Sequence, residues 1–150
     1  MMDSEEARAA LAAAAIAREN LAAKMAQVPL WRHAAFGLVL ALLGGGGTLS
    51  LGMQNAGTAL AMGLLVVLVS YDRHRFGVFV NGYRRGGTLP LTLALVVAIA
   101  GLILVAHQSR THDWPVWAKA AVTLGAFAVA TGTSLLWQRL YLRDLRRGGL

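Results

Sequence analysis

The sequence contains no cysteine and few charged residues, with only 14% of its 150 residues being Asp, Glu, Lys or Arg. The missing cysteine excludes disulfides, thiolate catalysis and zinc or iron–sulfur sites that depend on Cys ligands. Soluble domains carry about 25% charged residues, so this chain has too little polar surface to cover a water-soluble globule. Hydrophobic residues, in contrast, make up 57% of the chain. This composition is typical of an integral membrane protein.

Three long stretches contain no Asp, Glu, Lys, Arg or His, namely 34–71, 86–106 and 120–138. A helix needs about 20 residues to cross a hydrocarbon core of about 30 Å. The first stretch is long enough for two crossings, and each of the others fits one. We therefore expect an all-α membrane protein with four transmembrane helices, near residues 34–53, 56–71, 89–106 and 115–140. The expected turn between the first two is Gln54-Asn55.

Residues 1–28 differ from the transmembrane domain predicted for 29–150. They are rich in alanine, which has the highest helix propensity, and Pro29 stops the pattern. Apolar residues recur there at spacings of three and four, with Arg18 interrupting the series. This pattern predicts a weakly amphipathic helix on the cytosolic face or in the interface, and a short oligomerising coiled coil is the alternative.

The basic residues are distributed unevenly between the two sides that four crossings would create. Twelve of the 14 Lys and Arg lie in the N-terminal segment, in the loop 72–88 and in the C-terminal tail. Only Arg110 and Lys119 lie on the other side. The positive-inside rule therefore predicts that both ends of the chain are cytosolic.

Small residues recur at four-residue spacings in the first two predicted helices. The positions that we expect to pack are Gly37, Ala41, Gly45, Gly44, Gly52 and Gly63. Helices in lipid associate through close contact, which small side chains permit. We expect these positions to pack within the four-helix bundle, and contact with a membrane partner or a second copy is the alternative.

The cytosolic loop 72–88 carries two basic pairs, Arg73 with Arg75 and Arg84 with Arg85, around an aromatic and glycine-rich centre. Arginine near anionic headgroups contributes about 1 kcal/mol to membrane binding. These four residues are therefore candidates for binding a lipid headgroup or a cytosolic partner. Nucleic acid is not an expected partner, because the basic residues are spread along the membrane edge.

The outer loop contains His107, His112 and Asp113, which are residue types that bind zinc or copper. Two histidines five residues apart in a loop are a weak signal, so we expect no metal and no cofactor. No ionisable residue lies near the centre of a predicted helix, where transporters and many membrane enzymes place such groups. We expect a non-enzymatic accessory or scaffold protein, and the alternative is a small oligomeric transport or pore-forming protein of the holin type.

Three motifs carry a resemblance: Arg-Glu-Asn-Leu-Ala-Ala-Lys at 18–24, Trp-Arg-His at 31–33, and the Arg-x-Arg-x-Gly-Val-x-Val-Asn-Gly-x-Arg loop at 73–84. The pattern resembles small four-helix membrane proteins of bacteria that carry no assigned function. The resemblance implies the bacterial inner membrane as the location. It supplies no activity and no functional residues.

Overall fold

The chain folds entirely into helices over the residues that the computed structural model describes, 4–76 and 88–146. The helices are α1 (Ser4–Ala26), α2 (Leu30–Leu49), α3 (Leu51–Phe76), α4 (Thr88–Thr111) and α5 (Val116–Arg146). No strand occurs within these two ranges. The expected all-α fold class is therefore confirmed.

Three of the helical segments are long and apolar enough to cross a membrane: Leu51–Arg75, Thr88–Thr111 and Val116–Arg146. In their most apolar stretches of 18 residues, only 17%, 6% and 17% of the residues are buried inside the bundle. Helices α1 and α2 meet at an angle of 71°. If this bent pair of helices is counted as one span, the number of candidate spans rises to four. The apolar helices thus point most of their surface outward.

The turn between the first two membrane helices does not lie at Gln54-Asn55, and that expectation is wrong. Helix α2 ends at Leu49, and Ser50 alone, with φ −153° and ψ 166°, separates it from α3. The Ser50 hydroxyl accepts a hydrogen bond from the backbone N–H of Met53 at 3.1 Å, which is the geometry of a helix N-cap. Gln54 lies in the first turn of α3 instead and accepts a hydrogen bond from Arg110 at the end of α4.

Several other boundaries also differ from the expected ones, because the helices continue beyond their apolar runs. The predicted loop 72–88 begins as helix, since α3 extends to Phe76. Helix α4 continues to Thr111 rather than 106, and α5 continues to Arg146 rather than 140. Polar residues with adequate helix propensity extend a helix outside the apolar segment, so the absence of charge marks the apolar part of a helix and not its ends.

Helix α2 occupies the centre of the bundle, with α3, α4 and α5 around it. Its four consecutive glycines approach different neighbours, because successive helical residues point about 100° apart. A Cβ built at Gly44 would meet Leu102 of α4, one at Gly45 would meet Thr123 of α5, and one at Gly46 would lie 2.5 Å from the Met53 carbonyl oxygen of α3. The glycine run therefore makes α2 narrow enough to contact three helices at once.

The expected packing positions divide into two groups. Gly37, Gly44 and Gly45 lie against α4 or α5, and Ala41 is buried in the core. The remaining two positions, Gly52 and Gly63, are exposed, and a Cβ at Gly63 would meet no atom within 4 Å in the described part of the chain. The expectation that Gly52 and Gly63 pack inside this bundle is therefore wrong. Contact of these two positions with a partner stays a prediction.

Helix α1 contacts the bundle mainly through its C-terminal end. Met25 is buried against Tyr141 and Leu145 of α5, with Leu21 packed beside them. The earlier part of α1 is exposed, including Leu11 and Ile16, which are 72% and 61% accessible. The helix is thus attached to the end of the bundle where α2 begins and α5 ends.

Substitution of Gly57 by alanine tests the close approach of α2 and α3. A Cβ at Gly57 would lie 2.5 Å from the Leu42 carbonyl oxygen, which is backbone and cannot move aside easily. We expect Gly57→Ala to lower the free energy of unfolding by about 1–3 kcal/mol, the usual cost of overpacking. The matched control on the same helix is Gly63→Ala, which we expect to be neutral or slightly stabilising. Thermal unfolding in detergent, followed by circular dichroism, compares them, and equal stabilities would contradict the packing.

Candidate functional site

A buried polar cluster lies at the end of the bundle where α2 begins and α3 ends. Arg32, in the first turn of α2, binds Asp72 of α3 through two hydrogen bonds: Nη2 donates to Oδ2 at 2.5 Å and Nε donates to Oδ1 at 3.3 Å. The two side chains are 26% and 15% exposed. The single-residue break at Ser50 folds α3 back along α2 and so brings these oppositely charged groups together.

The cluster extends from Arg32 to α5 through Ser134 and His33. Nη1 of Arg32 donates to the Ser134 hydroxyl at 3.3 Å, and Nδ1 of His33 lies 2.8 Å from the same oxygen. The Ser134 hydroxyl thus lies within hydrogen-bond distance of both Arg32 and His33. Arg32, His33, Asp72 and Ser134 therefore link α2, α3 and α5 through one charged pair and the contacts to the Ser134 hydroxyl.

Gln138 joins the end of α1 to this cluster. Its Nε2 donates to the Met25 carbonyl oxygen at 2.6 Å, near the end of α1. The His33 ring is 2% exposed, and its Nε2 makes no hydrogen bond of normal geometry within the described residues, although the Gln138 side chain lies beside it. Polar contacts thus connect four helices at one end of the molecule.

A cavity of about 290 Å³ adjoins the polar cluster. At one end it is bordered by Arg32, Asp72 and Gln138, and further along by apolar side chains such as Leu65 and Leu95. Helices α3 and α4 form opposite walls, and in the described residues no Cα of one lies within 8 Å of a Cα of the other. In the described residues the cavity therefore lies in the gap between α3 and α4, and residues of α2 and α5 complete its lining.

Ser134 and His33 have the spacing of a nucleophile and its base, but the rest of a catalytic arrangement differs. In a hydrolytic triad a carboxylate orients the imidazole, whereas the carboxylate here binds Arg32. Ser134 also lies inside α5, where the backbone N–H groups are used within the helix and do not form an oxyanion hole. The geometry is that of a buried hydrogen-bond network that joins helices.

Two of the four arginines predicted to bind lipid or a partner, Arg73 and Arg75, lie in the described residues. Arg75 donates to the Tyr71 hydroxyl at 2.7 Å and to the Gln27 carbonyl oxygen at 3.1 Å, so it holds the end of α1 against α3. Arg73 is exposed in the last turn of α3. Arg84 and Arg85 lie outside the described residues. Their role in headgroup or partner binding stays a prediction.

The outer-loop residues His107, His112 and Asp113 form a helix end. Asp113, with φ 45°, follows α4 in the left-handed conformation, while the Trp114 N–H donates to the Ser109 carbonyl oxygen at 3.0 Å. This is the Schellman pattern that closes many helices. Within residues 4–76 and 88–146, no three His, Cys, Asp or Glu side chains lie close enough together to hold a metal ion.

No family model, no curated protein and no solved structure matches the chain.

The meeting of Arg32, His33 and Asp72 in this polar cluster could have been predicted from the sequence. Arg32 and His33 directly precede the first charge-free stretch, and Asp72 directly follows it. Because two antiparallel crossings return the chain to the same side, these residues had to meet at one end. Ser134 has no comparable signal, since the rotation of α5 against α2 is set by packing between distant segments.

The Arg32–Asp72 pair is tested by a double-mutant cycle with Arg32→Gln, Asp72→Asn and both together. Each single change leaves a partly buried group without its partner and should cost about 2 kcal/mol, the size of a hydrogen bond to a charged group. The double variant should lose clearly less than the sum of the two.

Chemical or thermal unfolding in detergent supplies the stabilities for this cycle. The matched control is Asp113→Asn, at an exposed position where asparagine also tolerates the left-handed backbone. Additive losses in the double variant would contradict a direct interaction between Arg32 and Asp72.

Proposed function

We propose that this chain is an integral protein of the bacterial inner membrane that α2, α3, α4 and α5 each cross once. The observation that carries the proposal is the outward exposure of apolar side chains on the three candidate spans. On α4, Leu93, Val97 and Leu104 are 52%, 71% and 66% accessible. Hydrocarbon is the solvent in which such a surface costs nothing.

The proposal counts α2 as a crossing of its own, although only the other three helices meet the length and composition criterion for a span by themselves. Its glycines face α3, α4 and α5 rather than lipid. It also runs antiparallel to α3 from Ser50, and its 20 residues match the length of a span. The bend of 71° before α2 would turn α1 toward the plane of the interface.

The proposed orientation places the polar cluster on the cytosolic side. Twelve of the 14 basic residues lie on this side. Aromatic pairs support the assignment of this end to the headgroup level: Trp31 packs edge-on against Tyr71, and Trp137 stacks on Tyr141. At the opposite end Trp114 and Trp117 are exposed, as expected of a second aromatic belt.

Within the membrane we propose a non-enzymatic accessory or scaffold role, in which α3 associates with a membrane-protein partner or a second copy. Ala56, Leu60, Gly63 and Val67 follow one another at helical spacing and are all exposed. Gly63 in their middle would let another helix approach closely. The arginines of the cytosolic loop would add contacts to anionic headgroups or to a cytosolic partner.

An oligomeric pore is the alternative. In the described bundle, polar contacts occur at the two ends, at Arg32 with Asp72 and at Arg110 with Gln54. Between them the core contains apolar residues such as Val39, Leu40 and Ala130 together with the uncharged side chains of Thr48 and Thr131. A single bundle with such a core offers ions no polar path, so a pore would require several copies around an axis outside the bundle.

A photocrosslinking amino acid at Val67 tests the partner surface in native membranes. We expect discrete protein adducts at Val67, because this position lies on the exposed small-residue face of α3. The matched control is Val97, which is similarly exposed on α4 and should give lipid adducts. Adducts between two differently tagged copies would identify a homo-oligomer, and the absence of any protein adduct at Val67 would contradict the scaffold role.

Ion flux from liposomes separates the two proposed roles. The scaffold proposal predicts that liposomes containing the purified chain are as tight to dye and ions as empty ones. Flux that rises steeply with protein concentration would favour the oligomeric pore and overturn the scaffold proposal.

A further inference from the structure

The cavity beside Arg32 combines a charged end with an apolar remainder, which is the chemistry of an amphipathic molecule. Its polar end has Arg32, Asp72 and Gln138, and its walls further along have Leu65, Leu91 and Leu95. The volume of about 290 Å³ is at the low end of small-molecule pockets, so it accommodates part of a ligand rather than all of it.

The position of the cavity between α3 and α4 determines which molecules reach it. Helices α3 and α4 are separated along this side, and the gap between them would face the acyl chains of the bilayer. This step rests on the proposed membrane insertion. A membrane lipid can enter such a gap sideways, with the rest of the molecule remaining in the bilayer.

Arg32 retains hydrogen-bonding capacity for a headgroup. It uses Nε and one N–H of Nη2 for Asp72, and one N–H of Nη1 for Ser134, which leaves two of its five N–H groups without an acceptor in the described residues. Phosphate is a preferred partner of arginine. Since Asp72 balances the charge of Arg32, the site is neutral overall and matches a zwitterionic headgroup better than an anionic one.

We propose that this cavity binds one phospholipid, with part of an acyl chain between α3 and α4 and the phosphate at Arg32. A zwitterionic headgroup places its ammonium group near Asp72 and its phosphate near Arg32. The bound lipid fills the gap between α3 and α4 that the described residues leave.

Filling the cavity with a larger side chain tests the proposal. Leu91→Trp places the indole in the cavity, and the matched control Leu93→Trp places it on the exposed face of the same helix. Each protein is incubated with vesicles of equal phosphatidylethanolamine and phosphatidylglycerol content, purified in mild detergent and weighed by native mass spectrometry. We expect one retained phosphatidylethanolamine on the unsubstituted chain and on Leu93→Trp, and loss of it on Leu91→Trp.

Equal retention by both variants, no retained lipid on the unsubstituted chain, or retention of phosphatidylglycerol alone would overturn the proposal. If Leu91→Trp fails to fold by circular dichroism, the pair Val69→Trp in the cavity wall and Val66→Trp on the exposed face of α3 decides it in the same way. Recovery of the chain in the water-soluble fraction would instead contradict membrane insertion. Its recovery in membranes without retained lipid contradicts only the lipid site.

Discussion

The exposure of apolar side chains on α3, α4 and α5 is the constraint on which the rest of the structure depends. In water, each Å² of such exposed surface would cost about 25 cal/mol of free energy, and the bundle buries little of this surface. In hydrocarbon the cost disappears, but so does the force that packs helices in water. The helices must then hold together by close approach and by polar contacts, and the chain provides both. Glycines on α2 allow the close approach, and the Arg32–Asp72 pair with Ser134 provides polar contacts at one end.

The glycines of α2 and the polar contacts of Arg32 lie at opposite ends of the bundle. The glycines at 44–47 lie near the α2–α3 turn and let α2 contact all three neighbours. At the opposite end Arg32 and His33 make polar contacts to α3 and α5. The cavity adjoins these polar contacts.

Much of this architecture follows from simple features of the sequence, and the remainder depends on pairwise packing. The charge-free stretches indicated the apolar helices, and small-residue spacing indicated the contacts of Gly37, Gly44 and Gly45. The turn was misplaced because Gln54-Asn55 is the more polar pair, whereas the N-cap hydroxyl of Ser50 decides where α3 begins. Which small residues face inward depends on helix rotation, which explains the outward position of Gly63. The contact of Ser134 with α2 depends on the rotation of α5 as well, so no local sequence pattern predicts it.

The proposed orientation in the membrane can be measured directly with single-cysteine variants, because the sequence contains no cysteine. Ala10→Cys in α1, Asp113→Cys between α4 and α5, and Arg143→Cys near the end of α5 sample the two proposed sides. An impermeant maleimide added to intact spheroplasts should label only the cysteine at 113, and the other two should react only after the membrane is opened. Labelling at 10 or 143 in intact spheroplasts, with 113 protected, would contradict the account.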